Sequence, residues 1–493
     1  MDANLLSGIL DSLEPINLLW ILVGVSLGTL FGALPGIGPA TGMALLLPLM
    51  FGVDPLTSLL LLVGIYQGAM YGGRISSILI NVPGDAGAVV STFDGYPLTQ
   101  QGKAGLALSL SAMASFIGGI AGFLGLAFLS KLMADVAVKF GPPEYFSLML
   151  FALFAAGGIT GKRPLKAIIS VVLGLLIAMV GVDFVSGERR LTFGVTDLFE
   201  GIGFIPLAIG IFGLSEVLVT IEKGPLKGLE NKGGKISPFP KLTETIQNFG
   251  SMIRGSIIGF FVGVLPGAGS TIATFLSYSA EKKVSKHPEK FGTGVTQGLA
   301  GPEAANNSSV GGALVPLFAL GIPGSGTTAI LLGGLMMIGL NPGPRFFENS
   351  PDIVWGVIGS LLIANILLLF MNTLMVPVFV AMIEKVQPYL VPFITALCLI
   401  GVYVTNYRLF EVGLMIIAGV FGYFFRKLGF PLAPLILAVI LGETIETSLR
   451  QSMLMSNTGW AILFTRPVSG VLLILTIIII AMPLLRKIPL FKK

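Results

Sequence analysis

Five long runs almost free of charge, residues 16–34, 106–129, 165–182, 354–376 and 468–485, restrict this chain more than any other feature. A helix needs about 20 predominantly apolar residues to cross the hydrocarbon core of a bilayer, and each run is close to or above that length. Charged residues make up only 11% of the 493 residues and apolar ones 54%, where a soluble domain carries roughly 25% charged residues. So few charges cannot cover a soluble surface of this size. The expectation is an all-α polytopic membrane protein with roughly 11 crossings plus hairpins.

The N-terminus carries Asp2, Asp11 and Glu14 and lacks the basic start and small-residue cleavage site of a secretory signal, so the first apolar run is read as retained structure. The single cysteine, Cys398, lies in an apolar stretch and reads as a packed thiol. His287, the one histidine, sits among Lys286, Glu289 and Lys290, which reads as a solvated loop rather than a metal site. A net charge of +5 and a pI near 9.1 raise nucleic acid as a partner. The basic residues cluster between the hydrophobic runs, however, as cytoplasmic loops of a membrane protein do, so no nucleic-acid partner is expected. No phosphate loop occurs: Gly161-Lys162-Arg163 lacks both the hydroxyl and the upstream glycine. No nucleophile, base and orienting group occur together, so an enzyme is not expected.

An internal repeat organises the chain. Residues 24–38, GVSLGTLFGALPGIG, return as residues 255–269, GSIIGFFVGVLPGAG, at an offset of 255 − 24 = 231. A second pair of breaks follows, Gly72-Gly73 leading to Pro83-Gly84 and Gly311-Gly312 leading to Pro323-Gly324. The halves are therefore read as residues 1–222 and 251–493. Between them, residues 223–250 form a cytoplasmic linker rich in lysine, glycine and proline. The first repeated segment is flanked by Asp11, Glu14 and Asp54, its copy by Arg254, Lys282, Lys283, Lys286 and Lys290. Opposite flanking charge predicts that the two repeats are inverted in topology.

Gly24, Gly28 and Gly32 share one helical face, which reads as close helix packing. The breaks behind them carry chemistry. Proline removes a backbone donor and glycine tolerates left-handed backbone, so broken or re-entrant helices are expected at Pro35, Pro83, Pro266 and Pro323. Such backbone inside a bilayer is buried in protein or lines a watery cavity. A helix restarting after a break aims unpaired N–H groups at whatever lies there, which suits a carboxylate. The substrate-binding candidates are thus Gly36, Gly38 and Thr41, Pro83 and Gly84, Gly267, Gly269, Ser270 and Thr271, and Pro323, Gly324, Ser325, Thr327 and Thr328. The hydroxyls either bind a carboxylate or cap helix starts. Asn306 and Asn307 either donate to a carboxylate or offer oxygens to Na⁺, and Glu303 either carries a proton or ligates a cation.

Residues 71–105 and 301–344, with the strings Glu303-Ala304-Ala305-Asn306-Asn307 and Gly321-Ile322-Pro323-Gly324-Ser325-Gly326-Thr327-Thr328, resemble the large membrane subunit of the tripartite tricarboxylate transporter family. The resemblance spans essentially the whole chain. It implies a small membrane subunit and an extracytoplasmic solute-binding protein as partners. It also implies uptake of a small di- or tricarboxylate across a bacterial plasma (inner) membrane, driven by Na⁺ or H⁺ with no other cofactor. The competing reading is a stand-alone carrier for a small organic anion. Two positions depart from the family pattern: Asp85 where a hydroxyl residue is usual, and Arg74 where a small residue is usual. An acidic group repels a carboxylate and an arginine attracts one. Arg74 is accordingly assigned to substrate or to pairing with Asp85, and Asp85 to the coupling ion.

Overall fold

The computed structural model describes residues 3–34, 37–50, 52–158, 164–183, 186–223, 240–375, 377–378, 389–456 and 459–485. Among the described residues the regular structure is helical apart from one two-residue strand pair, Gly181–Val182 with Arg189–Arg190. In the first half the helices are α1 (Ala3–Ser12), α2 (Pro15–Ala33), α3 (Gly38–Leu46), α4 (Pro55–Ile80), α5 (Ser91–Gln100) and α6 (Ala104–Ala137). They continue as α7 (Pro142–Gly158), α8 (Pro164–Ala178), α9 (Phe204–Ala208) and α10 (Ser215–Lys223). The second half contributes α11 (Leu242–Val264), α12 (Gly269–Val284), α13 (Thr296–Leu320), α14 (Gly326–Met337) and α15 (Pro351–Leu374). It ends with α16 (Leu390–Asn406), α17 (Leu409–Lys427), α18 (Leu432–Leu454) and α19 (Pro467–Leu485). Seven described helices, counting the continuous Phe204–Glu222 segment of α9 and α10 as one, are long and apolar enough to cross a membrane, and there are four shorter apolar ones, including α14 and α8.

The helix ends repeat as the sequence does. α2 stops at Ala33 and α11 at Val264, and α3 and α12 restart on Gly38 and Gly269, each at φ +59°. Both intervals are 231 residues (264 − 33 and 269 − 38). α4 stops at Ile80 and α13 at Leu320, each followed by a left-handed residue, Asn81 at φ 59° and Gly321 at φ 69°. That interval is 320 − 80 = 240 and equals the spacing of Pro83 and Pro323. The helices thus end two or three residues ahead of each proline, where the missing N–H would otherwise break the ladder.

α4 and α13 form the centre. α4 is buried over 94% of its apolar window, and α13 is buried from Gly298 to Ala319, including every polar residue of its Glu-Ala-Ala-Asn-Asn-Ser-Ser run. Protein rather than lipid surrounds that run, which is how a bilayer helix tolerates it. α2 lies against α4, and α11 and α6 lie against α13. The glycine faces set these contacts. A Cβ on Gly28 would sit 2.4 Å from the Ile65 carbonyl oxygen, and one on Gly259 would sit 2.2 Å from that of Ala305. Backbones touching at this distance is the small-residue packing read from the spacing.

Asp183 and Glu446 hold Arg190 at 3.1 and 2.7 Å, and Arg450 binds the same two carboxylates at 2.5 Å. Cys398 is buried and His287 is exposed beside Glu289 at 3.3 Å, in line with their sequence reading. Residues 242–250, within the segment read as a linker, form the start of α11, whose first turn is closed by Lys241 N–H donating to Glu244 Oε2 at 3.0 Å. The rest of that linker from 224 to 239, Pro35 and Gly36, Lys162 and Arg163, and the basic cluster 486–493 lie outside the described residues.

Candidate functional site

The four breaks meet. α3 and α12 each restart on a left-handed glycine, α4 and α13 are each followed by a left-handed residue, and residues from all four breaks line one space. Gly267 N–H donates to the Gly324 carbonyl at 2.8 Å, tying the two second-half breaks together. Gly84 N–H donates to Gly73 at 3.4 Å across the hairpin of the first. A Cβ on Gly84 would lie 1.8 Å from the Gly32 carbonyl oxygen, so only glycine lets this loop reach α2.

Between the loops is a cavity of about 520 Å³ lined by residues of all four breaks. Of the residues expected from sequence it is walled by Gly38, Thr41, Pro83, Gly84, Asp85, Gly267, Gly269, Ser270, Thr271, Ser325 and Thr327. Tyr66 and Met70 of α4, Phe212, Arg426 and Leu437 complete the wall. Three helices point their N-termini into the space: α3 at Gly38, α12 at Gly269 and α14 at Gly326. Only α14 is capped by its own side chain, with Ser325 Oγ accepting from Thr328 N–H at 3.3 Å and Thr328 Oγ1 accepting from Ser325 N–H at 2.8 Å. α3 and α12 have no side-chain cap. The capping alternative therefore holds for Ser325 and Thr328. It does not hold for Thr41, which donates to the Phe212 carbonyl at 3.2 Å, nor for Ser270 and Thr271.

Two charges line the cavity among the described residues. Asp85 folds back on its own loop, Oδ2 accepting from Gly87 N–H at 3.2 Å and Oδ1 from Ala88 N–H at 3.1 Å. Gly73 makes room for it, since a Cβ there would sit 2.6 Å from Asp85 Oδ1. Arg426, at the end of α17, bonds Glu216 through Nη1, and its Nε is buried without a hydrogen-bond partner. The end of α17 carries Arg426 onto the cavity wall, and no spacing in the sequence marks this.

The remaining candidates stand behind the wall. Glu303 accepts from Ser91 and, at 3.2 Å, from Ser115, within electrostatic reach of Arg74. Arg74 lies one turn past Met70 and does not pair with Asp85. Its Nη1 donates to the Leu108 carbonyl at 2.7 Å and to Ser111 Oγ at 2.6 Å, and Nη2 to the Asn372 carbonyl at 3.4 Å. The guanidinium is fully buried, and its bonds are made with the Leu108 carbonyl and Ser111 hydroxyl of α6 and the Asn372 carbonyl of α15 rather than with the loop. Asn307 donates to its own helix at the Glu303 carbonyl. Asn306 donates to the Met70 carbonyl at 3.4 Å, and its Oδ1 is buried without a partner. Pro323, Gly324 and Thr328 support the wall without lining it.

Broken helices meeting in a cavity inside a many-span helical bundle define a multi-pass membrane transport protein. Residues 18–437 match the tripartite tricarboxylate transporter TctA family, and the chain belongs to that family as its membrane subunit. The family implies a tripartite assembly with partner subunits. An uncharacterized 52.8 kDa protein of the TAR-I ttuC' 3' region of Agrobacterium vitis is 40% identical over 476 residues, covering 96% of this chain and 94% of that protein. A second Agrobacterium vitis protein, of the TAR-II ttuC' 3' region, is 37% identical over 227 residues, 46% of this chain and 94% of its own length. An uncharacterized Methanocaldococcus jannaschii protein is 28% identical over 204 residues, 39% of this chain and 48% of that protein. No solved structure matches the chain.

Proposed function

We propose that this chain is the permease of a binding-protein-dependent, ion-gradient-driven uptake system for a small di- or tricarboxylate in a bacterial inner membrane. The observation that carries the reading is the convergence of three helix N-termini on one cavity, two of them without side-chain caps. Unsatisfied N–H groups and the positive ends of the helix dipoles favour an anion at that point. Arg426, also on the cavity wall, takes a second carboxylate, sharing its charge between substrate and Glu216. An extracytoplasmic binding protein delivers the substrate, and a small membrane subunit completes the assembly.

Uptake into proteoliposomes containing this chain, the small subunit and the binding protein tests the reading. Di- and tricarboxylates are expected to accumulate only under an imposed Na⁺ or proton gradient, with strong stimulation by the binding protein. Full-rate transport by this chain alone would replace the tripartite reading with a stand-alone carrier.

The two repeats are proposed to be inverted, on the strength of their opposite flanking charge. Asp54 and Lys283 are both exposed. Cysteines at these positions are expected to react with an impermeant reagent from opposite sides of sealed vesicles, and labelling of both from one side rejects the inversion.

A further inference from the structure

Gly87 follows the Pro83-Gly84 break, and its φ is not positive, so its backbone does not require glycine. What it lacks room for is a side chain. The position its Cβ would take is ringed by three oxygens: Asn306 Oδ1 at 2.5 Å, Ser270 Oγ at 2.8 Å and Asp85 Oδ2 at 3.2 Å. These atoms come from three separate elements, α13, α12 and the first-half loop. Asn306 is 1% exposed, and its Oδ1 is one of the buried oxygens without a hydrogen-bond partner. The amide orientation is set by Nδ2, which donates to the Met70 carbonyl and leaves the oxygen facing Gly87.

Asp85 Oδ2 already accepts from the Gly87 N–H, but Asn306 Oδ1 has no donor, and one serine hydroxyl cannot serve both the amide oxygen and the carboxylate's remaining lone pairs, so acceptors are in surplus. Buried acceptors of this kind are costly unless something positive sits among them. No ion pair involving Asp85 occurs among the described residues, since Arg74 is turned away toward Leu108 and Ser111. We infer that Asp85, Asn306 and Ser270 form a binding site for one dehydrated monovalent cation of sodium size, seated over Gly87 at the edge of the cavity. The ligands are hard oxygens carrying a single full negative charge, which fits a monovalent ion better than Ca²⁺ or Mg²⁺. No cluster of three or more acidic, cysteine or histidine side chains occurs among the described residues. The site spans both halves of the chain, so an ion there bridges the first-half loop to α12 and α13. This deepens the ion-driven reading proposed above and rests on it for a role in transport; cation binding itself does not depend on the carboxylate.

The test uses the full chain purified in detergent, without substrate, in thermal unfolding titrations with NaCl, KCl and choline chloride at constant ionic strength. Sodium is expected to raise the unfolding temperature saturably, with potassium and choline much weaker. Ser270→Ala and Asn306→Ala are each expected to raise the apparent Kd for sodium by 10-fold or more, and Gly87→Ala to abolish the shift by filling the space. A sodium effect no larger than that of choline overturns the inference. So does a sodium shift left intact by both Ser270→Ala and Asn306→Ala, or stabilisation by acid pH that sodium cannot reproduce. Failure of carboxylate uptake with the sodium shift preserved would reject the proposed substrate and leave this site standing.

Discussion

Gly259→Val is expected to yield no folded transporter, with detergent-extracted material absent from the monodisperse peak in size-exclusion chromatography. The Cβ alone would meet the Ala305 oxygen at 2.2 Å and the Ala305 Cα at 2.5 Å, where non-bonded carbon atoms settle at about 3.5–4.0 Å. Both obstacles are backbone, so no rotamer change relieves the clash. α13, which also packs against α6, would have to retreat from α11 by roughly an ångström or more. Overpacking usually costs about 1–3 kcal/mol, but here the displaced helix also carries Glu303 and Asn306, whose partners lie on neighbouring elements. Gly28→Val, in contact with Ile65 in the equivalent place, is expected to behave the same way. Gly413→Val is the contrasting case, because nothing lies within 4 Å of a Cβ there, and its membrane abundance should match the wild type. A monodisperse Gly259→Val at wild-type abundance would show that α11 and α13 do not touch as described.

The architecture around those glycines was legible because a repeat constrains itself. Seven matching positions at one offset make each half a check on the other, and the left-handed glycines at 38 and 269 occupy the same place in both. The convergence of the breaks followed from a physical rule, that broken backbone in a bilayer must face protein or water. Legibility ended where side-chain direction decides the outcome. Arg74 and Asp85 are eleven positions apart (85 − 74) and opposite in charge, and pairing was one of the two roles expected of Arg74, the other being substrate. The guanidinium instead follows α4 toward the carbonyls of α6, a direction set by tertiary packing. Asn306 and Asp85 are separated by 306 − 85 = 221 residues, and each was singled out, but nothing in the spacing showed that both border Gly87. Arg426 was hidden for another reason: a basic residue at a helix end satisfies the topology rule so well that no second role is suggested.

Exchanging Arg426 for glutamine together with Glu216→Gln is expected to weaken apparent affinity for a dicarboxylate by roughly 10- to 150-fold while changing that for a monocarboxylate by far less. A hydrogen bond to a charged group contributes about 1.5–3 kcal/mol, and about 1.4 kcal/mol is tenfold in an equilibrium constant. Arg426 is the one basic side chain on the cavity wall among the described residues, and its buried Nε has no hydrogen-bond partner. The helix N-termini at Gly38 and Gly269 are independent of it and, on the proposed reading, hold a single carboxylate without it. The double exchange is needed because Glu216 is only 6% exposed, and removing one member of a buried ion pair costs about 3–5 kcal/mol of stability that would obscure the binding effect. With both groups neutral, the glutamine amides can still bond one another, and folding should be preserved. The measurement is competition of a chain-length-matched mono- and dicarboxylate pair against labelled substrate in proteoliposomes at equal protein abundance. Equal losses for both ligands would place Arg426 outside substrate recognition and leave it as a structural partner of Glu216. An unchanged dicarboxylate affinity would remove the second-carboxylate role altogether, and the anion would then be held by the helix N-termini alone.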